Sequence, residues 1–300
     1  MLNEKVILER LKNINLLPTF PHIVHDVLRI IEDPMSSASD VAKHMDASMV
    51  GEVLHMANSA FYNRGGTRKI TSIEQAIAII GYEHLAHIIL QMPFLVLTKK
   101  DDKFMDVSGF LTHSTLCGMV SKNISSTTLM GNPNETFIAG LIHDVGTIII
   151  YKYFFEEWKE IISLVHEKNV QRIEAERKVL SVDHGVIGAM LLDLWNIPKS
   201  ISNPIRFHHC PEEAKEHVEN VACVYVGNIF AKQIDTKSAQ NSFVNFISSN
   251  KNVVEEINRF RHPLSSREEM ELFKKVYDAL SELKRIFRGP EDDGEYNEQN

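Results

Sequence analysis

Apolar residues recur along this chain at three- and four-residue intervals, and the intervals begin and end at residues that start or stop helices. "TSIEQAIAIIG" opens with Thr71 and Glu74 at the spacing of a capping box. It runs through Ala76, Ile77, Ile79 and Ile80 and meets Gly81 as a C′ stop. "NPNETFIAGLIHDVG" places Asn132 at an N-cap and Pro133 at the first helical position, where the missing N–H is no loss. Towards the C-terminus Met270, Phe273, Val276, Leu280, Leu283 and Phe287 form an amphipathic stripe. Either Ser265 with Glu268 or Ser266 with Glu269 can box its start. No run alternates convincingly with period two. The pattern predicts an all-α, multi-helix architecture, with one short hairpin over 63–70, "NRGGTRKI", where two glycines make a turn.

Polar breaks divide the chain. "TKKDDKFMD" (Thr98–Asp106) and "DTKSAQN" (Asp235–Asn241) separate an N-terminal helical part, 1–100, from a central part, 101–235, and from C-terminal helices, 236–288. The tail at 289–300 is acidic, holds Pro290 and two glycines, and has no apolar stripe, so it is expected to be disordered.

Composition narrows the function classes. Lys and Arg number 32 against 40 Asp and Glu, a net charge of −8, which argues against a nucleic-acid groove and against docking on anionic membranes. The longest apolar stretch, His87 to Leu97, contains Gln91 and Pro93 and is too short to span a bilayer. The start, "MLNEKVILER", has no secretory apolar core. Three cysteines, Cys117, Cys210 and Cys223, without CxxC spacing, suggest neither a disulfide framework nor a thiolate zinc site. The expectation is a reduced, cytoplasmic chain. Histidine stands out: 14 residues, roughly twice the usual frequency.

One segment carries chemistry. "FIAGLIHDVGTIII" (Phe137–Ile150) contains a single charged residue, Asp144, beside His143. Set on one helix at about 100° per residue, Phe137, Ile138, Leu141, Ile142 and Val145 cover a broad arc. His143 falls opposite, next to Ala139, Gly140 and Gly146. A helix with no solvated face is buried on all sides, and the small residues let other groups approach closely. A buried carboxylate needs a cation, a donor network or a metal, because alone it costs several kcal/mol or is neutralised. Two readings stay open at this level: Asp144 caps a neighbouring helix while His143 satisfies a carbonyl, or both are ligands.

Further histidines lie far along the chain: His113 in "GFLTHSTLCGMV", His184 in "SVDHGVIGAMLLDLWNIP", and the pair His208 and His209 in "IRFHHCPEE". Their spacing matches no local zinc signature such as HExxH. In order, however, they resemble the HD superfamily of metal-dependent phosphohydrolases. The N-terminal third is more specific. Leu17-Pro18 with Pro21, the "ANSAFY" run at Ala57–Tyr62, Ile70 with Ser72-Ile73, and Ala76 through Gly81 resemble an HDOD domain, the HD-related output domain of bacterial signalling proteins. The likeness spans roughly Leu11 to Lys232.

That resemblance implies regulatory work through partners such as kinases or response regulators, with a nucleotide as a further candidate ligand. It also implies a divalent transition metal (Fe, Mn, Zn or Ni; one or two ions) on His113, His143, Asp144, His184, His208 and His209, with Asp144 as the catalytic or bridging group. Two departures stand out. Relatives that cleave cyclic dinucleotides carry a Lys three residues after the Asp, where this chain has Thr147; their last ligand is an Asp where this chain has Asn228, a weaker, neutral donor. Lys122, Lys199 and Arg206 are the sequence candidates for cations near a phosphate. The enzyme reading is therefore a metal-dependent phosphohydrolase acting on a nucleotide or cyclic dinucleotide. An iron-dependent oxidase is a minor third, since some HD relatives use mixed-valent iron. Partner contacts are expected from the N-terminal block up to Leu97 and the helix at Arg267–Phe287, whose plainer role is core packing. "NSAFYNRGG" offers Asn58, Ser59 and Arg64 as a recognition surface, or simply a helix end.

Overall fold

The computed structural model describes residues 4–14, 24–25, 47–58, 69–76, 78, 85, 88–90, 105–233 and 251–287. Among them every regular element is helical. In chain order these are α1 (Glu4–Lys12), α2 (Ala47–Ala57), α3 (Val107–Thr128), α4 (Pro133–Ile142), α5 (Val145–Tyr153), α6 (Phe155–Lys168), α7 (Arg172–Leu180), α8 (His184–Leu194), α9 (Lys199–Phe207), a 3₁₀ turn (Pro211–Glu213), α10 (Val218–Gln233), α11 (Lys251–Asn258) and α12 (Ser266–Phe287). The hairpin expected over 63–70, the stop at Gly81, the break at Asp235–Asn241 and the acidic tail lie outside the described residues, entirely or in large part.

The caps show which sequence signals operate. Asn132 accepts the Asn134 and Glu135 amides at the start of α4, with Pro133 next to it. For α12 the box is Ser265 with Glu268. The Ser265 hydroxyl accepts the Glu268 amide, and the Glu268 carboxylate accepts the Ser265 amide at 2.8 Å. The Thr71 box is displaced by one residue. Ser72 Oγ accepts the Gln75 amide, and Gln75 Oε1 returns to Thr71, so the helix starts one position later than the Thr71/Glu74 spacing suggested.

Helix α3 is the central strut. α4, α10 and α12 pack on it, and α9 crosses α4 and α10. Gly118 and Gly140 face each other where α3 meets α4; a Cβ on Gly140 would stand 2.9 Å from the Gly118 Cα, so only bare backbone allows the approach. The C-terminal segment is fastened to the end of α3: Arg261 donates to the Thr128 carbonyl at 3.0 Å and Lys275 to the Thr127 hydroxyl at 3.2 Å. One apolar core is built around α3, α4, α10 and α12. A second is built from α1, α5, α6, α7 and α8. α5 serves both, giving Val145 and Ile148 to the first and Ile149, Ile150 and Tyr151 to the second.

α9 contains Pro204, which has no N–H for the Ser200 carbonyl one turn earlier. Asn220, buried on α10, supplies the missing donor: its amide nitrogen lies 3.0 Å from that carbonyl and 2.9 Å from Glu135 Oε2. Its oxygen accepts the Asn132 amide. One side chain thereby ties α10 to the start of α4 and the first turn of α9. No single helix among the described residues is long and apolar enough to cross a membrane.

Candidate metal centre

His143 and Asp144 do not continue one helix, as the arc over Phe137–Gly146 suggested. α4 ends at Ile142, His143 is its C-cap, and Asp144 turns the chain with φ −93° and ψ 12° before α5 begins at Val145. The break aims two adjacent side chains into one space, where a straight helix would spread them about 100° apart. Gly146 then lets α5 rest on the first turn of α8, because a Cβ there would collide with the His184 carbonyl oxygen. His184 is the first residue of α8, capped by Asp183, whose Oδ1 accepts the Val186 amide. His208 is the C-cap of α9, and His209 follows it. Only His113, inside α3, comes from the body of a helix.

The six residues meet. Asp144, His184, His208 and His209 form one group and His113, His143 and Asp144 another, with ligand-capable atoms in each group within 4.8 Å of one another. Asp144 is common to both. Its Oδ1 lies 3.0 Å from His184 Nε2, 3.3 Å from His143 Nε2 and 3.5 Å from His208 Nε2. Its Oδ2 lies 3.6 Å from His113 Nε2. His113 and His143 meet at 3.2 Å through Nε2, as do His184 and His209 at 3.0 Å.

Three rings are oriented by their other nitrogen. His143 Nδ1 donates to the Gly140 carbonyl at 2.7 Å, His208 Nδ1 to the Ile205 carbonyl at 2.7 Å, and His184 Nδ1 to Glu176 at 2.6 Å. Each therefore points Nε2 at the carboxylate. His208 Nε2 is fully buried with no hydrogen-bond partner. In the neutral ring it is a bare lone pair facing a carboxylate oxygen, an arrangement stable only with a proton or a cation between them. Nitrogen donors converging on one shared carboxylate are a donor set that suits a first-row transition metal. By that test the residues present fit a metal.

The electrostatics point the same way. Burial works against a charge on Asp144, but His143 and a hydrogen bond from His184 hold it well below the usual carboxylate range. Burial opposes protonation of His143 and His184 too. Asp144 nevertheless holds His143 well above its ordinary value, and Glu176 with Asp144 lifts His184 to about 9. His113 and His208 are pushed down to about 4, first by burial and then by neighbouring rings, and His209 is pushed lower still. Without a metal the cluster keeps protons on His143 and His184, and leaves His113, His208 and His209 neutral.

Asn228 is buried on α10, and its Oδ1 has no hydrogen-bond partner. Asn58 spends both ends of its amide on backbone: Nδ2 donates to the Leu54 and Ile70 carbonyls, and Oδ1 accepts the Ile70 amide. That is the plainer, helix-end use of "NSAFYNRGG"; Ser59 and Arg64 lie outside the described residues. Lys122 sits over the Phe137 ring, and Lys199 and Arg206 both reach Asp193.

A buried carboxylate escaped notice in the sequence. Glu176 is fully buried beneath His184 and is bound by Arg172, whose other nitrogen donates to Thr147. The signal was available: Glu176 shares a helical face with Val179 and Leu180, both buried.

The HDOD domain family model matches residues 17–211. The chain belongs to the HDOD family. An HDOD domain protein of unknown function from Geobacter sulfurreducens has the same fold over 95% of this chain and 99% of its own, with TM-score 0.67 and 23% identity. A Shewanella amazonensis protein that carries the name of a candidate phosphohydrolase aligns over 90% of this chain and 97% of its own, with TM-score 0.61 and 18% identity. A Treponema pallidum protein described as uncharacterized is 26% identical over 215 residues, which is 69% of this chain and 41% of that relative. The HDOD chain thus spans under half the length of its curated relative.

Proposed function

We propose that this HDOD protein is a regulatory, protein-binding module of a signalling system that retains an HD-type centre for one or two divalent transition metals. The observation that carries the reading is Asp144 standing between two sets of imidazoles, with three rings held so that Nε2 faces it. His113 and His143 would hold a metal on one side of Asp144, and His184, His208 and His209 on the other. Such a centre supplies an activated water and a clamp for a phosphodiester oxygen. The regulatory assignment draws on the family and on a solved structure from Marinobacter aquaeolei, named for a candidate signal transduction protein, with TM-score 0.60 and 16% identity. Kinases or response regulators are the partner class.

Phosphohydrolysis of a nucleotide or cyclic dinucleotide is the second reading. It is favoured by Asp144 lying within reach of both ring sets: Oδ1 stands between His143 and His184, and Oδ2 is 3.6 Å from His113. Against vigorous turnover stand Thr147, whose hydroxyl is occupied by Arg172, and neutral Asn228. Elemental analysis of protein purified without a metal-binding tag tests the centre. First-row metal in near-stoichiometric amount, lost in folded His143→Ala and Asp144→Ala variants, is expected; equal content in all three removes the centre. Incubating the loaded protein with nucleotides and cyclic dinucleotides separates the readings: turnover would favour the enzyme, and none with any common divalent ion the adaptor.

A further inference from the structure

The carboxylate of Glu176 has no part in the ligand set, yet it is the most completely engaged acidic group near it. Oε2 accepts the His184 ring at 2.6 Å and the His184 backbone amide at 2.9 Å. Oε1 accepts Arg172 Nε at 2.9 Å. Arg172 is itself fixed from two more sides: its second nitrogen donates to Thr147 Oγ1 at 3.1 Å, and its guanidinium lies 5.1 Å from the Trp158 ring centroid. Thr147 is in the first turn of α5, three residues past Asp144. The chain Trp158, Arg172, Glu176, His184 therefore begins in the α6 core, ends at Asp144, and is pinned to the Asp144 helix on the way.

From this geometry we propose that Glu176, clamped by Arg172, is the positioning residue that commits His184 to bind metal through Nε2 and strengthens it as a donor. The proposal rests on the metal centre of the preceding subsection. A carboxylate behind a ligating imidazole fixes its tautomer and ring angle and raises its basicity. Here the same carboxylate also takes the first amide of α8, so ring and backbone are held by one group. The isosteric Glu176→Gln change shows what depends on the charge. Both oxygens of Glu176 face donors, so the amide NH₂ must face either Arg172, which releases the clamp, or the His184 ring and backbone N–H. In the second case a donor requires a lone pair on Nδ1, which moves the ring proton to Nε2, towards Asp144 and away from metal binding; in either case the ring loses its anionic partner.

The test is a Zn(II) titration of the full, untagged chain against a chromophoric competitor, wild type beside Glu176→Gln. Circular dichroism and the thermal midpoint report folding, and nitrogen NMR of labelled histidines reports the tautomer. A folded variant that binds zinc about 10- to 100-fold more weakly is expected. Zinc-loaded wild type should show His184 with its proton on Nδ1. Equal zinc affinity in wild type and folded variant overturns the proposal and leaves the metal centre standing. So does a zinc-loaded wild type whose His184 binds through Nδ1, a result that needs no variant to fold. A wild type that takes up no zinc or other first-row ion removes the metal reading and this proposal together, before any variant is compared.

Discussion

Gly146 lies against the carbonyl oxygen of His184, so close that no side chain fits between α5 and α8 at their crossing. Asp144 is two residues before this contact and the His184 ring hangs from it, so the crossing sets the distance between the carboxylate and the imidazole. Gly146→Ala must push the helices apart or fail to fold. The expected cost is about 3 kcal/mol, the upper part of the usual range for overpacking. Chemical denaturation measures it. In whatever protein folds at low temperature, metal content should fall as well, because the displacement separates Asp144 from His184. A variant with wild-type stability and metal content would show that the crossing is not what places the two.

Pro204 and Asn220 make a second, separable prediction. Removing the Asn220 side chain leaves the buried Ser200 carbonyl without the donor that Pro204 cannot give, and strips a partner from Glu135 and from the Asn132 amide. Asn220→Ala should destabilise by about 3 kcal/mol, since each orphaned buried polar group costs on the order of 1–3 kcal/mol. Pro204→Ala restores an N–H to Ser200 within the helix and should recover part of that loss. A double-mutant cycle on urea midpoints measures the coupling, and strict additivity of the two changes would contradict it.

The α12 cap distinguishes two boxes that overlap in sequence. Ser265→Ala removes the hydroxyl that accepts the Glu268 amide and should cost about 1 kcal/mol. Ser266→Ala, one position into the helix, should change the denaturation midpoint little. The reverse ranking would place the helix start one residue later.

This pair illustrates what could be read in advance. Periodicity and cap residues located α4 and α12 because Asn132, Pro133 and Ser265 act within four residues of themselves, and such local hydrogen bonds are written in local sequence. The same holds for the all-helical class. The convergence of His113, His143, Asp144, His184, His208 and His209 came from family likeness, since no spacing rule links residues that far apart. Two features stayed hidden for physical reasons. The break at His143 and Asp144 carries no proline, and Asp144 makes no side-chain capping bond that would have marked it. Arg172 and Glu176 stand four apart on a helix, which reads as an ordinary surface ion pair. Only the packing of α7 puts the carboxylate inside and beneath His184.

Metal-free and metal-loaded protein should respond to pH in opposite directions above neutrality. Burial disfavours charge on His184, but Glu176 and Asp144 lift it to about 9 from an ordinary 6.5. A raised folded pKa stabilises fully below the unfolded value, and that stability is lost as pH rises from 6.5 through about 9. On the acid side burial keeps His113 and His208 near 4, so the unfolded chain gains protons first and stability also falls from 6.5 downwards. Glu176, held at about 2 from 4.5 by His184 and Arg172 against the effect of burial, adds a further loss at lower pH. The metal-free thermal midpoint should therefore peak near pH 6.5. A metal must instead displace the ring protons from His143 and His184, so its apparent affinity rises with pH, about tenfold per pH unit for each proton released. Between pH 6.5 and about 9 the midpoint of chelator-treated protein should drop while that of zinc-saturated protein holds or climbs. Calorimetric titrations in buffers of differing ionisation enthalpy should count the released protons. Parallel pH profiles with no proton release would mean that the imidazoles facing Asp144 are not the groups that take the metal.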